Sequence, residues 1–171
     1  AGNGGSCADA EHFAGELVCT FINRKRKAIS AIPLSTHSAA ITAWSNDFDF
    51  NSYYKRQVEA NGKKGDILFL LSTSGGDFNN KASINLVNAA KEASKRGLFV
   101  ISLVGKKGGI LKRISNIHIN ILDSNTSFIQ EAHMSILHCI CLCLDQKLEK
   151  KSKKFFLLNY EKKNRVIFRW T

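Results

Sequence analysis

Residues 66–76 read DILFLLSTSGG. Ile67 to Leu71 are consecutively apolar, with no alternation, and the run is too short for an ordinary helix. That pattern predicts a strand buried on both faces, as in a parallel sheet covered by helices. The run ends abruptly in Ser72-Thr73-Ser74-Gly75-Gly76. A strand therefore delivers hydroxyls and a glycine turn to its carboxyl end, where open α/β sheets bind ligands.

The flanking sequence fits the same architecture. LFVISLVG (98–105) and IHINIL (117–122) read as further strands, and AIPLST (31–36) as a short one ending in hydroxyls. Helical patterns fall between them. From Ser6 to about Thr20, Ala10, Phe13, Ala14 and Leu17 recur at helical spacing. HSAAITAWSN (37–46) and NSYYKRQVEANG (51–62) predict two more helices, the second closed by Asn61-Gly62. Another runs from about Ser83 to Arg96 and stops at Gly97; a long one starts near Ile129 and reaches the 140s. Alternating strands and helices predict an α/β, doubly wound (flavodoxin-like) parallel sheet with helices on both faces. About five strands are expected, counting one before Ala1, because the chain opens directly in the Gly-rich turn AGNGGS. The first strand is thus expected to be missing from this sequence. The turns at 2–6 and 72–76, with STHS (35–38), would share one rim.

Composition narrows the class. The chain has 171 residues, 44% of them hydrophobic, with a single Pro, which suits one globular domain rather than a disordered chain. Neither a signal peptide nor an apolar run of membrane-spanning length is expected. The net charge is +11, yet residues 147–171 hold nine Lys/Arg against two Asp/Glu, while residues 1–146 hold sixteen against twelve. The basicity is mostly a C-terminal extension, so a nucleic-acid partner is not expected. The expected division is a domain at 1–146 and a basic extension at 147–171, with apolar clusters at Phe155–Leu158 and Val166–Phe168. Cys7, Cys19, Cys139, Cys141 and Cys143 are odd in number and lack CxxC spacing, which fits reduced thiols in a cytoplasmic protein.

Three constellations could carry chemistry. In STSGG, hydroxyls and backbone N–H groups at a helix entrance suit a phosphate that is bound rather than transferred, since no Gly-Lys-Ser/Thr follows. The alternative is an ordinary polar turn capping a helix. His12 and Glu16 are four apart on one helix face, suiting a metal, an acid/base pair or a plain surface pair. Gln130, His133 and His138 share the last helix. Gln130 and His138 lie about 12 Å apart along its axis, so one ion could hold both only if the side chains stretch or different subunits supply them.

In order along the chain, GNGGSCADAEHFAGEL (2–17), NDFDF (46–50), RQVEANGKKGDILFLLSTSGG (56–76), LVGKKGG (103–109) and SFIQEAHMSILH (127–138) resemble the phosphoheptose isomerases of the sugar-isomerase (SIS) domain superfamily. The resemblance implies an aldose–ketose isomerase converting D-sedoheptulose 7-phosphate to D-glycero-D-manno-heptose 7-phosphate through an enediol, for bacterial lipopolysaccharide or capsule. It implies that Asn3, Gly4, Gly5, Ser6, Glu16, Asn46, Asp47, Ser72, Thr73, Ser74, Ser83 and Gln130 contact substrate. Glu16 would be the base and His138 the acid, and His12, Glu16, Gln130 and His138 would hold zinc. It further implies a homotetramer with active sites at subunit interfaces, and an N-terminal helix as well as the first strand missing before Ala1. Other branches of the superfamily imply two alternatives: a non-catalytic regulator binding the replication initiator protein, or a sugar-phosphate sensor. The chain departs from the family pattern at Cys19-Thr20, where Gly-Arg is common and Arg24 is the candidate substitute. It departs again at Lys107 in place of Asp and at Phe128 in place of Arg, and GDFNNKA (76–82) reads as an insertion. With that insertion, Ser83 rather than Asp77 is the expected next hydroxyl.

Overall fold

The computed structural model describes residues 1–163, with side chains to residue 149; the expected cluster at 166–168 lies outside the described residues. Helix α1 spans Gly5–Val18, α2 Ser38–Asp47 and, after a 3-10 turn at Phe50–Ser52, α3 Tyr53–Asn61. Strand β1 (Ile67–Ser72) is followed by α4 (Ile84–Lys95), β2 (Phe99–Gly105), a one-turn α5 (Leu111–Ile114), β3 (Ile117–Ile121) and the long α6 (Thr126–Lys163).

The three strands form a parallel sheet in the order β1-β2-β3, with Ile67 opposite Phe99 and Ile101 opposite Ile117. Because side chains alternate along a strand, Leu68, Leu70, Val100 and Val104 point to one face. There they pack with Tyr53, Tyr54 and Val58 of α3 and Leu86, Val87, Ala89, Ala90 and Ala93 of α4. Leu71 and Leu103 point to the other, against Ala10 and Phe13 of α1 and Leu137 and Cys141 of α6. Helices therefore cover both faces, which explains the unbroken apolar run at Ile67–Leu71 of β1 and that of β2, interrupted only by the buried Ser102, which accepts from Ser115 Oγ at 2.9 Å. Strand β3 is an edge whose Ile117 and Ile119 stay exposed, and its sequence accordingly alternates.

The sheet has three described strands, not five. AIPLST does not form a strand: residues 31–33 are irregular and Leu34-Ser35 turn. Pro33 supplies no ladder N–H, and the Ser35 and Thr36 hydroxyls bond to Glu11 and to the Pro33 carbonyl instead. Ala1 and Gly2 lie alongside β1 in parallel register, with Leu71 N donating to Ala1 O at 2.9 Å.

Helix α4 ends as expected at Gly97, whose φ of 77° lets Leu98 N reach back to Ala93 O at 2.9 Å. In α6, Ile129, His133, Leu137, Cys141 and Asp145 recur every four residues and form its buried seam. Thr126–Glu149 is, contrary to expectation, long and apolar enough to cross a membrane by length and composition. Here its seam packs on α1 and the sheet, while Cys139 and Cys143 face outward.

Candidate active site

Two groups of candidate residues are assembled at different places. The first sits at the carboxyl end of β1. Ser72 Oγ donates to Ser83 Oγ at 3.0 Å, and Ser74 Oγ lies 3.3 Å from Ser83 Oγ and 3.4 Å from Ser72 Oγ. Gly75 N donates to Ser72 Oγ at 3.0 Å and Gly76 N to Ser74 Oγ at 3.4 Å. Three hydroxyls thus converge at the entrance to α4, and Thr73 beside them makes no hydrogen bond to a described residue. Neutral donors at a helix entrance suit an oxyanion such as a phosphate.

The conformation of residues 77–82 explains how Ser83 arrives there. Asp77 and Ala82 exchange both backbone hydrogen bonds at 2.9 Å, pinching residues 78–81 into a side loop and returning the chain to the turn. Ser83 then takes φ 52°, a left-handed conformation uncommon for a residue with a Cβ, just before α4. Asp77 is occupied by Asn79 N and Asn80 Nδ2 and stands outside the hydroxyl triangle.

The GNGGS turn is latched to the same rim by two residues that sequence reasoning missed. Asn3 and Asn85 exchange side-chain hydrogen bonds at 2.9 and 2.8 Å, and Tyr54 Oη donates to Gly2 O at 2.6 Å. Asn85 follows Ser83 by two residues and Tyr54 is buried, so a polar residue inside an apolar helix face was the available signal for each. Gly4 turns the chain at φ 55°, and Ser6 is buried at the start of α1.

The second group lies between α1 and α6, which run side by side. His12 Nε2 is 3.2 Å from Glu16 Oε1 and 3.3 Å from His138 Nε2. The Phe21 ring stacks on His138 at 5.4 Å. An ionised carboxylate only accepts, so a proton on His12 Nε2 is shared between Glu16 and His138. One chain therefore brings the expected base and acid within reach of the same nitrogen. Asp9, one turn before His12, was also missed: its Oδ2 is buried without a partner. Burial pushes its carboxyl above the usual range, partly offset by His12.

A buried ion pair clamps this group from behind. Arg26 Nε lies 2.6 Å from Asp145 Oδ1, with 2% and 6% of the side chains exposed. Arg26 also donates to the carbonyls of Glu16 and Leu17, at 2.5 and 3.0 Å, gripping the last turn of α1. Asp145 accepts Ile22 N and Asn23 N at 3.0 and 2.8 Å. Burial raises the Asp145 carboxyl, but these N–H groups and Arg26 outweigh it and hold the carboxyl below its ordinary value. Arg26, not the exposed Arg24, is thus the cation that reaches inward.

Other expected residues stand apart. Gln130 sits at the opposite end of the α1–α6 seam, so close to Gly5 that a Cβ there would lie 2.5 Å from Gln130 Nε2. Asn46 and Asp47, at the exposed end of α2, bond to each other at 2.9 Å and to neither group. His133 is buried, with Nε2 on Val104 O at 3.3 Å; burial lowers its pKa, so it is a neutral core residue.

Zinc takes nitrogen and oxygen donors at about 2.0–2.2 Å. His12, His138 and Glu16 have the right donor chemistry. Among the described residues, however, no group of three or more His, Cys, Asp or Glu side chains could hold a metal ion, and Gln130 is two turns away along α6. One chain by itself does not form the cage.

The SIS domain family matches residues 1–105. A probable phosphoheptose isomerase of Thermoplasma acidophilum is 41% identical over 146 residues, covering 85% of this chain and 76% of the relative. The phosphoheptose isomerase of Neisseria meningitidis is 41% identical over 150 residues, covering 86% and 73%. The structure of a phosphoheptose isomerase from Francisella tularensis superposes with a TM-score of 0.77 at 36% identity, over 85% of this chain and 74% of that one. With the three-layer α/β fold and the serine turn at the sheet's carboxyl edge, these likenesses place the chain in the SIS domain family and, within it, among the phosphoheptose isomerases.

Proposed function

We propose that the protein converts D-sedoheptulose 7-phosphate to D-glycero-D-manno-heptose 7-phosphate through an enediol. The reading is carried by one observation: Glu16 and His138 meet at His12 Nε2, on a chain that belongs to an isomerase family. Ser72, Ser74 and Ser83, with Thr73, hold the 7-phosphate. Asn3, Gly4, Gly5 and Ser6 line the sugar, and Asn46, Asp47 and Gln130 complete the pocket from outside the two assembled groups. Glu16 takes a proton from C1 of the ketose while His138 gives one to the C2 oxygen, producing the enediol. Return of a proton to C2 and loss of one from the C1 hydroxyl yield the aldose, so no net proton is consumed. His12 orients both groups and passes protons between them.

The proposal extends to a homotetramer in the cytoplasm, feeding heptose to a bacterial surface polysaccharide. A zinc ion on His12, Glu16, Gln130 and His138 would need a second copy to complete its donors, and would polarise the substrate carbonyl. Incubation of the protein with sedoheptulose 7-phosphate should give the aldose, detected by NMR. Phosphate-dependent binding without turnover would favour a sensor; no turnover together with capture of the replication initiator would favour the regulator.

A further inference from the structure

Beyond Ser74, on the side of the serine turn away from Asn3, the carboxyl ends of the three strands enclose a groove of about 1360 Å³. Its walls carry Lys106, Lys107, Lys112 and Arg113, opposed only by Asp77 and Asp123. Both carboxylates are engaged locally. Asp77 accepts from Asn79 N and Asn80 Nδ2, and Asp123 accepts from Asn125 N at 2.6 Å. None of the four cations ion-pairs with a described residue. The lining therefore has a net charge of +2 and no internal means of neutralising it.

The backbone that bears the cations is also held in place. The loop bearing Lys106 and Lys107 is tied down by Lys106 N to Asp123 O at 3.1 Å and Asn120 Nδ2 to Lys106 O at 3.3 Å. Ile110 N and Leu111 N donate to Gly76 O and Gly75 O at 3.0 and 2.8 Å, joining that loop to the serine turn. The Lys112 stem lies along Gly108, so close that a Cβ there would meet its Cδ at 2.6 Å. A loop ordered before binding loses little backbone freedom when a ligand arrives. Phe78, 53% exposed, and Leu122, 84% exposed, add apolar surface to the same walls.

We propose that this groove binds a small organic polyphosphate, with the cations on its pyrophosphate and Phe78 and Leu122 against the uncharged remainder. The site adjoins the serine triangle, sharing Ser74 at its edge, and differs from it in kind. Ser72, Ser74 and Ser83 offer neutral hydroxyls suited to one phosphate, whereas the groove offers positive charge suited to a multiply charged anion. A nucleic acid is a poorer fit, because the charge is confined to one short groove on a body with sixteen basic and twelve acidic residues at 1–146.

The test is calorimetric titration of the full chain with ADP and with inorganic pyrophosphate at low salt. Binding is expected, weakening as salt rises and falling at least tenfold in a Lys107→Glu/Lys112→Glu double variant. That variant should keep its kcat/KM for sedoheptulose 7-phosphate, and Thr73→Ala should leave the binding unchanged. If the glutamates disturb folding by circular dichroism, Lys107→Gln/Lys112→Gln decides the same point with a smaller loss. Absence of binding by both probes at millimolar concentration overturns the proposal. So does binding that survives the lysine changes or disappears in Thr73→Ala.

Discussion

The serine triangle and the imidazole–carboxylate pair are built by opposite means. The triangle is made by backbone: a buried strand ends, two glycines turn, and a helix begins, so hydroxyls from Ser72, Ser74 and Ser83 are fixed within 3.0–3.4 Å of one another. The pair is made by side chains on two helices, with 44% of His12 and 26% of Glu16 exposed. Its alignment depends on how α1 lies against α6, and the Arg26–Asp145 clamp sets that. In the proposed reaction, substrate holding is thus local, whereas proton transfer depends on a long-range contact between residues more than a hundred positions apart.

That contrast can be broken at several points. The largest effect is expected from Glu16→Gln, which should lower kcat about 10²–10⁴-fold with little change in KM, measured by steady-state kinetics; equal losses in both would make Glu16 structural. Next is Asp145→Asn, which leaves Arg26 buried without its countercharge. It should cost about 3 kcal/mol of stability in denaturant unfolding, and lower kcat more than KM because α1 loses its grip. A smaller change is expected from Thr73→Ala and Ser83→Ala, each raising KM by roughly tenfold, as loss of one hydrogen bond to a charged phosphate implies. An unchanged KM would detach the triangle from substrate.

The smallest effect concerns pH. His133 is buried with a lowered pKa, so the unfolded chain binds the proton more readily than the folded one. Its contribution is complete above the unfolded value of about 6.5 and is lost as pH falls below it, with a slope of at most about 1.4 kcal/mol per pH unit. Asp145, whose carboxyl is held low, adds a loss at more acid pH, from below its unfolded value down through its folded one. His133→Gln should flatten the first slope in pH-dependent unfolding and leave the second.

The sequence revealed the local features and hid the distant ones. DILFLLSTSGG and LFVISLVG announced buried strands because both faces of each are covered, and Ser83 was readable from chain order as the next hydroxyl after Ser74. AIPLST misled because a short apolar run with hydroxyls resembles a strand until Pro33 and its turn are weighed. Helix α5 was missed because Leu111–Ile114 is one turn set by hydrogen bonds to Gly75 and Gly76. The His12–His138 contact, the Asn3–Asn85 exchange and the Arg26–Asp145 clamp join residues far apart in the chain, which no periodicity exposes. The separation of Gln130 from His138, by contrast, followed directly from helix rise.

The account rests on Glu16 and His138 serving the same two sugar carbons, and isomerisation in D₂O tests it most directly. The protein should form aldose carrying solvent deuterium at C2, and Glu16→Gln should lower turnover and incorporation together, by about 10²–10⁴-fold. Turnover undiminished in Glu16→Gln, or deuterium entering C2 as fast in that variant as in the unaltered protein, would contradict it.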